Sequence, residues 1–349
     1  MPTSNLSTFP TPPQSTFTQR LQIEHLINSP SLSEIEAAKG EDILRGLLQI
    51  PKSLPSKYLY DDYGSELFEQ ICQQPEYYPT RTEAAILSEY AGQIASLTGP
   101  CELVELGSGS STKTRILLDA YQQLGNPLRY VPIDISGGIL ELSARELLVD
   151  YPSLQIHGLV GTYEAALDSL EPTALPRIIC FLGSTLGNLN PEEANQFIQR
   201  VAAAMQPGEY FLIGTDLHKQ TEVVEAAYND AQGITAAFTL NILQHLNHRF
   251  DADFDLSQFE HIARYNPSKF QIETDLRSRQ DQMVHLKDLG LTVRFAADER
   301  MRVEISRKFQ IHRMPELLQV YNLEVLKTWT DKNQWYGLTL CQLRAGTEI

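Results

Sequence analysis

The chain has 349 residues, 42% of them apolar, which is enough for one large α/β domain and a smaller second one. With 28 Lys and Arg against 44 Asp and Glu its net charge is −16. An acidic chain without a basic cluster argues against nucleic acid or an anionic membrane as partner and favours a small ligand, neutral or cationic.

Residues 1–28 open with "MPTSNLSTFPTPPQSTFTQR", rich in Ser, Thr and Pro with Arg20 as its one basic residue. They lack the basic and apolar regions of a signal peptide and are expected to form a disordered tail. No apolar run approaches a membrane span, so a soluble, cytoplasmic protein is expected. Cys72, Cys101, Cys180 and Cys341 are far apart, and three lie in strand-like runs, which reads as reduced core thiols. His245 and His248 form the one tight histidine pair, read as solvated on a helix, and no metal site is expected.

From about residue 80 strand-like runs alternate with helical ones. "CELVELG" (101–107), "RYVPIDIS" (129–136), "LQIHGLVGT" (154–162), "RIICFLGS" (177–184) and "EYFLIGTD" (209–216) are separated by amphipathic helices. This spacing predicts βαβ units, a mostly parallel sheet covered on both faces, and a ligand beyond the carboxyl ends of its strands. Two stretches break the alternation. Between Tyr58 and Tyr78 lie five of the chain's 15 tyrosines. Residues 219–307 hold a helical segment and then β-like runs such as "KFQIETDLRSR" and "LTVRFAADERMRVEIS". Residues 29–81 and 219–307 are therefore assigned to a smaller α+β domain that binds the substrate. Residues 82–218 and 308–349 make the large domain, closed by the strands "NLEVLKTWTD" and "WYGLTLCQLR".

"VELGSGSSTKT" (Val104–Thr114) is one glycine short of a phosphate-binding P-loop and of the dinucleotide fingerprint. Both miss it at Thr112, where a β-branched residue resists positive φ. A third reading, the turn that binds S-adenosylmethionine (SAM), needs an acidic residue ending the strand and a G-x-G turn, as in Glu105, Gly107 and Gly109. Asp134 ends the next strand, 134 − 107 = 27 residues after Gly107, where a carboxylate can accept both ribose hydroxyls. That device is shared with NAD enzymes and marks an adenosine cofactor rather than SAM alone.

"LVELGSGSSTKTRILLDA", "EYYPTRTEAAIL", "FLGSTLGNLNPEEA", "LIGTDLHK", "GITAAF" and "MRVEISRKF", in this order from about Pro51 to near the C-terminus, resemble the SAM-dependent histidine Nα-methyltransferases of ergothioneine biosynthesis. The resemblance implies a Rossmann-like class I SAM methyltransferase sheet and SAM as cofactor. On the family's pattern Gly107, Lys113, Asp134, Thr162 and Tyr163 match cofactor positions. Tyr77, Asn188, Tyr228, Glu304 and Ser306 match substrate positions: Asn188 and Tyr228 for the carboxylate, Glu304 and Ser306 for the imidazole. Tyr60 matches a residue beside the reacting amine and is the catalytic candidate. Asn190, before Pro191, is the better helix cap and leaves Asn188 free. Two residues depart from the pattern: Thr162 stands where the family has Asp at the adenine, and Thr274 where histidine-specific members have Met.

The implied reaction is Nα-trimethylation of L-histidine to hercynine by a monomer. Relatives of the family methylate other amino acids, including a prenylated tryptophan, so another aromatic amino acid is the alternative substrate. Two readings from other classes stay open on the residues alone. One is a catalytically silent amino-acid-binding protein; the other is an NTPase using Thr112–Thr114, with Asp216 as a Walker-B imitation.

Overall fold

A computed structural model describes residues 19–26 and 39–345. Its large sheet has eight strands. Numbered along the chain they are β1 (Leu21–His25), β3 (Glu102–Leu106), β4 (Arg129–Asp134), β5 (Gln155–Val160), β6 (Arg177–Phe181), β7 (Tyr210–Asp216), β13 (Leu323–Thr330) and β14 (Tyr336–Leu343), with β2 and β8–β12 lying elsewhere. Their spatial order is β1-β5-β4-β3-β6-β7-β14-β13. The first six strands are parallel, and β14 and β13 add antiparallel at the far edge. Strand order reverses between β3 and β6, which opens a crevice at their carboxyl ends. This is a Rossmann-like sheet of the class I methyltransferase type.

Both faces of the sheet are covered, so its central strands β3 and β6 are buried along their whole length instead of alternating. Leu103, Tyr130, Ile156, Ile178 and Leu212 pack on one side under helices that include Tyr78–Thr98 and Thr112–Gln123. Val104, Val131, Ile133, Ile179, Phe181 and Ile213 pack on the other, with Phe197 and Ile198 of the helix Pro191–Ala204. Cys101, Cys180 and Cys341 are buried and free; Cys72 is free and half-buried.

The smaller unit holds the four-stranded sheet β2-β12-β9-β8: β2 (Lys52–Ser53), β8 (Phe259–Asn266), β9 (Gln271–Ser278) and β12 (Arg300–Arg307). A hairpin of β10 (Gln282–Leu286) and β11 (Leu291–Phe295) stands beside it. Helices α1 (Glu41–Leu48), α2 (Asp62–Gln73), α8 (Thr221–Ala226) and α9 (Ile234–Phe250) complete the unit around a core that includes Tyr58, Leu67, Phe238, Ile242, Phe259 and Leu276. The intervening helices are α3 (Tyr78–Thr98), α4 (Thr112–Gln123), α5 (Gly137–Asp150), α6 (Tyr163–Ser169) and α7 (Pro191–Ala204), and α10 (Met314–Gln319) follows β12.

The N-terminal expectation needs correction. Residues 1–18 and 27–28 lie outside the described residues, but Leu21–His25, assigned to a tail, form the edge strand β1 paired in parallel with β5. The sequence "LQIEH" is short and only half apolar, and the open edge of β5 gives it partners that no local pattern reveals. The expected boundary at residues 81 and 82 falls inside α3, which begins against the smaller unit and ends under the large sheet. Where the chain passes between the two units it does so side by side: Phe309 N–H donates to the Asp216 carbonyl at 2.8 Å, and His218 N–H to the Phe309 carbonyl at 2.9 Å. His245 is no solvated histidine; its Nδ1 lies 2.9 Å from the Tyr58 carbonyl and its ring packs edge-on to Tyr58. No helix among the described residues is long and apolar enough to cross a membrane.

Candidate active site

The loop after β3 sits at the switch point. Gly107 has φ +77° and Gly109 φ +48°, conformations that L side chains resist. A Cβ at Gly107 would lie 2.6 Å from the Tyr163 hydroxyl, whereas at Gly109 it would meet nothing. Tyr163 thus closes on Gly107, and Gly109 faces open space. Ser111 (φ 53°) makes the last left-handed turn, so Thr112 starts α4 with ordinary helical geometry and needs no glycine.

Glu105, the acidic residue near the end of β3, turns inward. It is buried and accepts from Thr114 Oγ1 and from the Tyr130 hydroxyl at 2.5 Å, tying β3 to the first turn of α4. Burial pushes its carboxyl up to about 7, against the pull of those hydrogen bonds. Asp134, half-buried at the end of β4, accepts from Gly109 N–H and Ser136 N–H, both at 2.9 Å. It therefore clamps the glycine turn as well as facing the crevice.

Lys113 points back to the sheet and donates to Glu83 at 2.5 Å. Burial works against the ammonium, but Glu83 outweighs it and holds Lys113 above the usual lysine range. Glu83, fully buried on α3, also accepts from Gly183 N–H at 2.9 Å and from the Tyr336 hydroxyl at 2.8 Å. It joins α3, α4, the loop after β6 and β14, and nothing in its sequence context marks it beyond lying in a quoted motif. Thr162 caps α6, accepting from Ala165 N–H at 3.3 Å. Tyr163 follows, edge-on to Phe181 with ring centres 5.6 Å apart. A glycine turn, a carboxylate on the adjacent strand and a lysine at the first helical turn suit an adenosine cofactor carrying an amino-acid tail.

The other wall comes from the smaller unit. Tyr60, Phe68, Tyr77 and Tyr228 form a run of edge-to-face rings with centres 5.7, 6.2 and 6.3 Å apart. Tyr60 is 37% exposed at its end. Burial of the hydroxyl, with Glu304 adding to it, still pushes that phenol well above its ordinary value. Asn190 caps α7 in a full capping box, and the Asn188 amide makes no hydrogen bond among the described residues. Gly187 carries this turn onto β12: a Cβ there would lie 2.8 Å from the Arg307 carbonyl.

Glu304 and Ser306 share one face of β12, opposite Thr274 and Ile272 of β9. A bulge at Val303 decides what else shares that face. Arg302 pairs with Asp275 and Glu304 with Thr274, so Arg302 turns to the opposite face and bridges Asp275 and Glu273. Without the bulge Arg302 would stand beside Glu304. As it is, Glu304 has no hydrogen-bond partner among the described residues, and burial raises its carboxyl to about 7, partly offset by Lys308. The Thr274 hydroxyl opposite is also buried without a partner.

Behind Ser306 lies a buried polar cluster. Lys308 is 2.8 Å from Asp216 Oδ2 and donates to the Tyr228 hydroxyl and to Ser306 Oγ, both at 2.9 Å. Lys219 and the Tyr78 hydroxyl hold the other side of Asp216. Asp216, 1% exposed, is thus committed to ion pairs and is not a Walker-B residue. Lys308 was legible in principle, since Glu304, Ser306 and Lys308 continue one period-two alternation.

A sheet with this strand order, a G-x-G turn at its switch point and a carboxylate ending the adjacent strand defines a SAM-dependent methyltransferase. The profile described as "Histidine-specific methyltransferase, SAM-dependent" matches residues 39–343, and the chain belongs to that family. It is 42% identical to the histidine N-alpha-methyltransferase of Mycolicibacterium smegmatis over 90% of this chain and 98% of the relative. It is 32% identical to ergothioneine biosynthesis protein 1 of Neurospora crassa over 83% of this chain and 33% of that longer protein. The 4-dimethylallyltryptophan N-methyltransferase of Claviceps purpurea is 26% identical over 86% of this chain and 93% of its own length.

Proposed function

We propose that the chain methylates the α-amine of L-histidine three times, giving hercynine as a step of ergothioneine biosynthesis. The observation that carries this reading is the unpaired Glu304 carboxylate sharing a strand face with Ser306 in a member of the histidine-specific family. A ring N–H donated to a buried carboxylate is worth roughly 1.5–3 kcal/mol, or about ten- to a hundredfold in discrimination.

SAM, when bound, supplies a methyl group on a sulfonium, an electrophile that needs a neutral amine in line with it. Gly109, beside Gly107, would leave room for its amino-acid part, Asp134 would accept from the ribose, Lys113 would bind at the first turn of α4, and Thr162 and Tyr163 would flank the adenine. Asn188 and Tyr228 hold the substrate carboxylate. Tyr60 keeps its proton at physiological pH because burial disfavours the phenolate. In this form it is placed to orient the amine by hydrogen bonding. The rings of Tyr60, Phe68, Tyr77 and Tyr228 stabilise a cationic nitrogen as methyl groups accumulate. Holding nitrogen, methyl and sulfur in line is where most of the rate arises.

The free thiols suit the reducing cytoplasm. A second reading, another aromatic amino acid as substrate, is favoured by Thr274, whose small polar side chain faces Glu304 across the strand pair. Incubation with SAM and each common amino acid, followed by mass spectrometry, separates the two. Three methyl groups on the α-nitrogen of histidine, with the ring untouched, is the expected product. Faster turnover of tryptophan or tyrosine than of histidine would overturn the substrate assignment.

A further inference from the structure

The strand β1 precedes the family match, which starts at residue 39. It adds little to the core: Gln22, Glu24 and His25 are exposed, and Leu21 and Ile23 are half-buried. What it supplies is position. Arg20 donates to the Tyr151 and Leu148 carbonyls at 3.1 and 3.2 Å, which fastens the start of the strand to the end of α5. Five pairings with β5 fix its register, so that His25, Val160 and Asp134 stand in one row across β1, β5 and β4.

The next residue, Leu26, closes on Gly161. A Cβ at Gly161 would lie 3.2 Å from Leu26 Cβ and 3.4 Å from its Cδ1. On the other side Gly161 N–H donates to the Asp134 carbonyl at 3.0 Å. Gly161 is thus held between Asp134 and Leu26, and Thr162 follows it directly. Without Leu26 only the Asp134 side remains, and a glycine backbone is the freest to give way. The Asp134 carboxylate does not depend on this contact, because Gly109 N–H and Ser136 N–H clamp it.

We propose that Leu26 is a positioning residue of the cofactor site: by packing on Gly161 it sets where the Thr162 hydroxyl stands, and so how well the site tells an adenine amino group from another group in its place. This rests on the assignment of Thr162 to the adenine. Loss of Leu26 therefore acts on one end of the cofactor and leaves the ribose and the amino-acid tail held as before.

Calorimetry on the full chain compares S-adenosylhomocysteine with S-inosylhomocysteine, in which a ring carbonyl replaces the adenine amino group. The ratio of the two affinities cancels any loss common to both ligands, including a general loosening of the fold. In the wild type the adenine ligand should bind at least about threefold more tightly, within the usual range for one neutral hydrogen bond. Leu26→Ala should bring that ratio below about twofold, and Leu26→Met, which keeps the volume, should preserve it. In a Thr162→Asp background the ratio should exceed about tenfold, the usual size for a charged acceptor, and Leu26→Ala should cut it at least about threefold. A ratio that Leu26→Ala leaves unchanged overturns the inference, and Leu26→Val, judged by the same ratio, replaces it if Leu26→Ala does not fold. Thr162→Ala separates the two levels. A ratio as wide there as in the wild type refutes the placing of Thr162 at the adenine amino group, whereas a ratio that closes there but not in Leu26→Ala refutes the role of Leu26 alone.

Discussion

Thr162 accepts from Ala165 N–H as the cap of α6, so only one of its lone pairs remains for an adenine amino group, and it carries no charge. Aspartate caps helices as well as threonine does and adds a charged acceptor. Thr162→Asp should therefore tighten S-adenosylhomocysteine binding several-fold with α6 intact; calorimetry giving equal or weaker binding would mean the adenine is held elsewhere. Glu304 supports two predictions. Its replacement by Ala should lower kcat/KM for histidine at least about tenfold while cofactor affinity stays near wild type, because the proposed bond is to the ring alone. Its titration also costs the ligand-free protein stability. The folded carboxyl is raised to about 7 from its ordinary 4.5, so the folded state binds the proton more tightly, and stability falls as pH rises through that window. Glu304→Gln should thus melt higher than the wild type at pH 8, and the difference should vanish toward pH 4. A melting-temperature gap independent of pH would show that Glu304 is not held in a low-dielectric site.

At the scale of elements, two local devices build the proposed substrate wall. The bulge at Val303 sends Arg302 to the outer face, where Asp275 and Glu273 take it, and so keeps Glu304 free of a permanent cation. The alternation "VEIS" reveals that Glu304 and Ser306 share a side. It does not reveal that Arg302 leaves it, because a bulge is a property of the strand pair and not of one strand. The second device is Gly187, which lets the turn bearing Asn188 rest on the Arg307 carbonyl. Gly187→Ala places a methyl 2.8 Å from that oxygen, and a contact so close forces the turn away from β12. KM for histidine should rise about tenfold with cofactor affinity changed little, since overpacking of this kind costs roughly 1–3 kcal/mol. Equal losses of both affinities would place the effect on the whole loop after β6 and not on the substrate wall.

Over the whole molecule the two units are joined by charge as much as by packing. Asp216 ends β7 of the large sheet, Lys308 follows β12 of the small one, and Tyr78 opens α3 between them. Burial alone would raise the Asp216 carboxyl, but Lys308 and Lys219 reverse this and hold it below its ordinary value. A carboxyl lowered on folding stabilises the protein above its unfolded pKa, and that stability is lost as pH falls through the acid range. Asp216→Asn leaves two ammonium groups buried without a counter-charge. The expected loss is about 3–5 kcal/mol at pH 7 by urea unfolding, shrinking as pH falls below about 4. A loss under about 1 kcal/mol would mean water reaches this joint.

The alternation of strands and helices determined the parallel sheet, its two covered faces and the end at which a ligand sits, because each βαβ unit closes locally and right-handedly. The run from Val104 to Thr114 and Asp134 marked the crevice for the same reason: glycine conformation and strand-end carboxylates are local facts. Tertiary structure alone decided the rest. Leu21–His25 became a strand only because β5 offered an open edge. Glu105 turned inward because Tyr130 and Thr114 waited there. Glu83 and Lys308 acquired their roles from partners 100 and 92 residues away along the chain, Gly183 and Asp216. Hydrogen bonds and ion pairs of that kind depend on which groups folding buries together, and no period along the sequence encodes that.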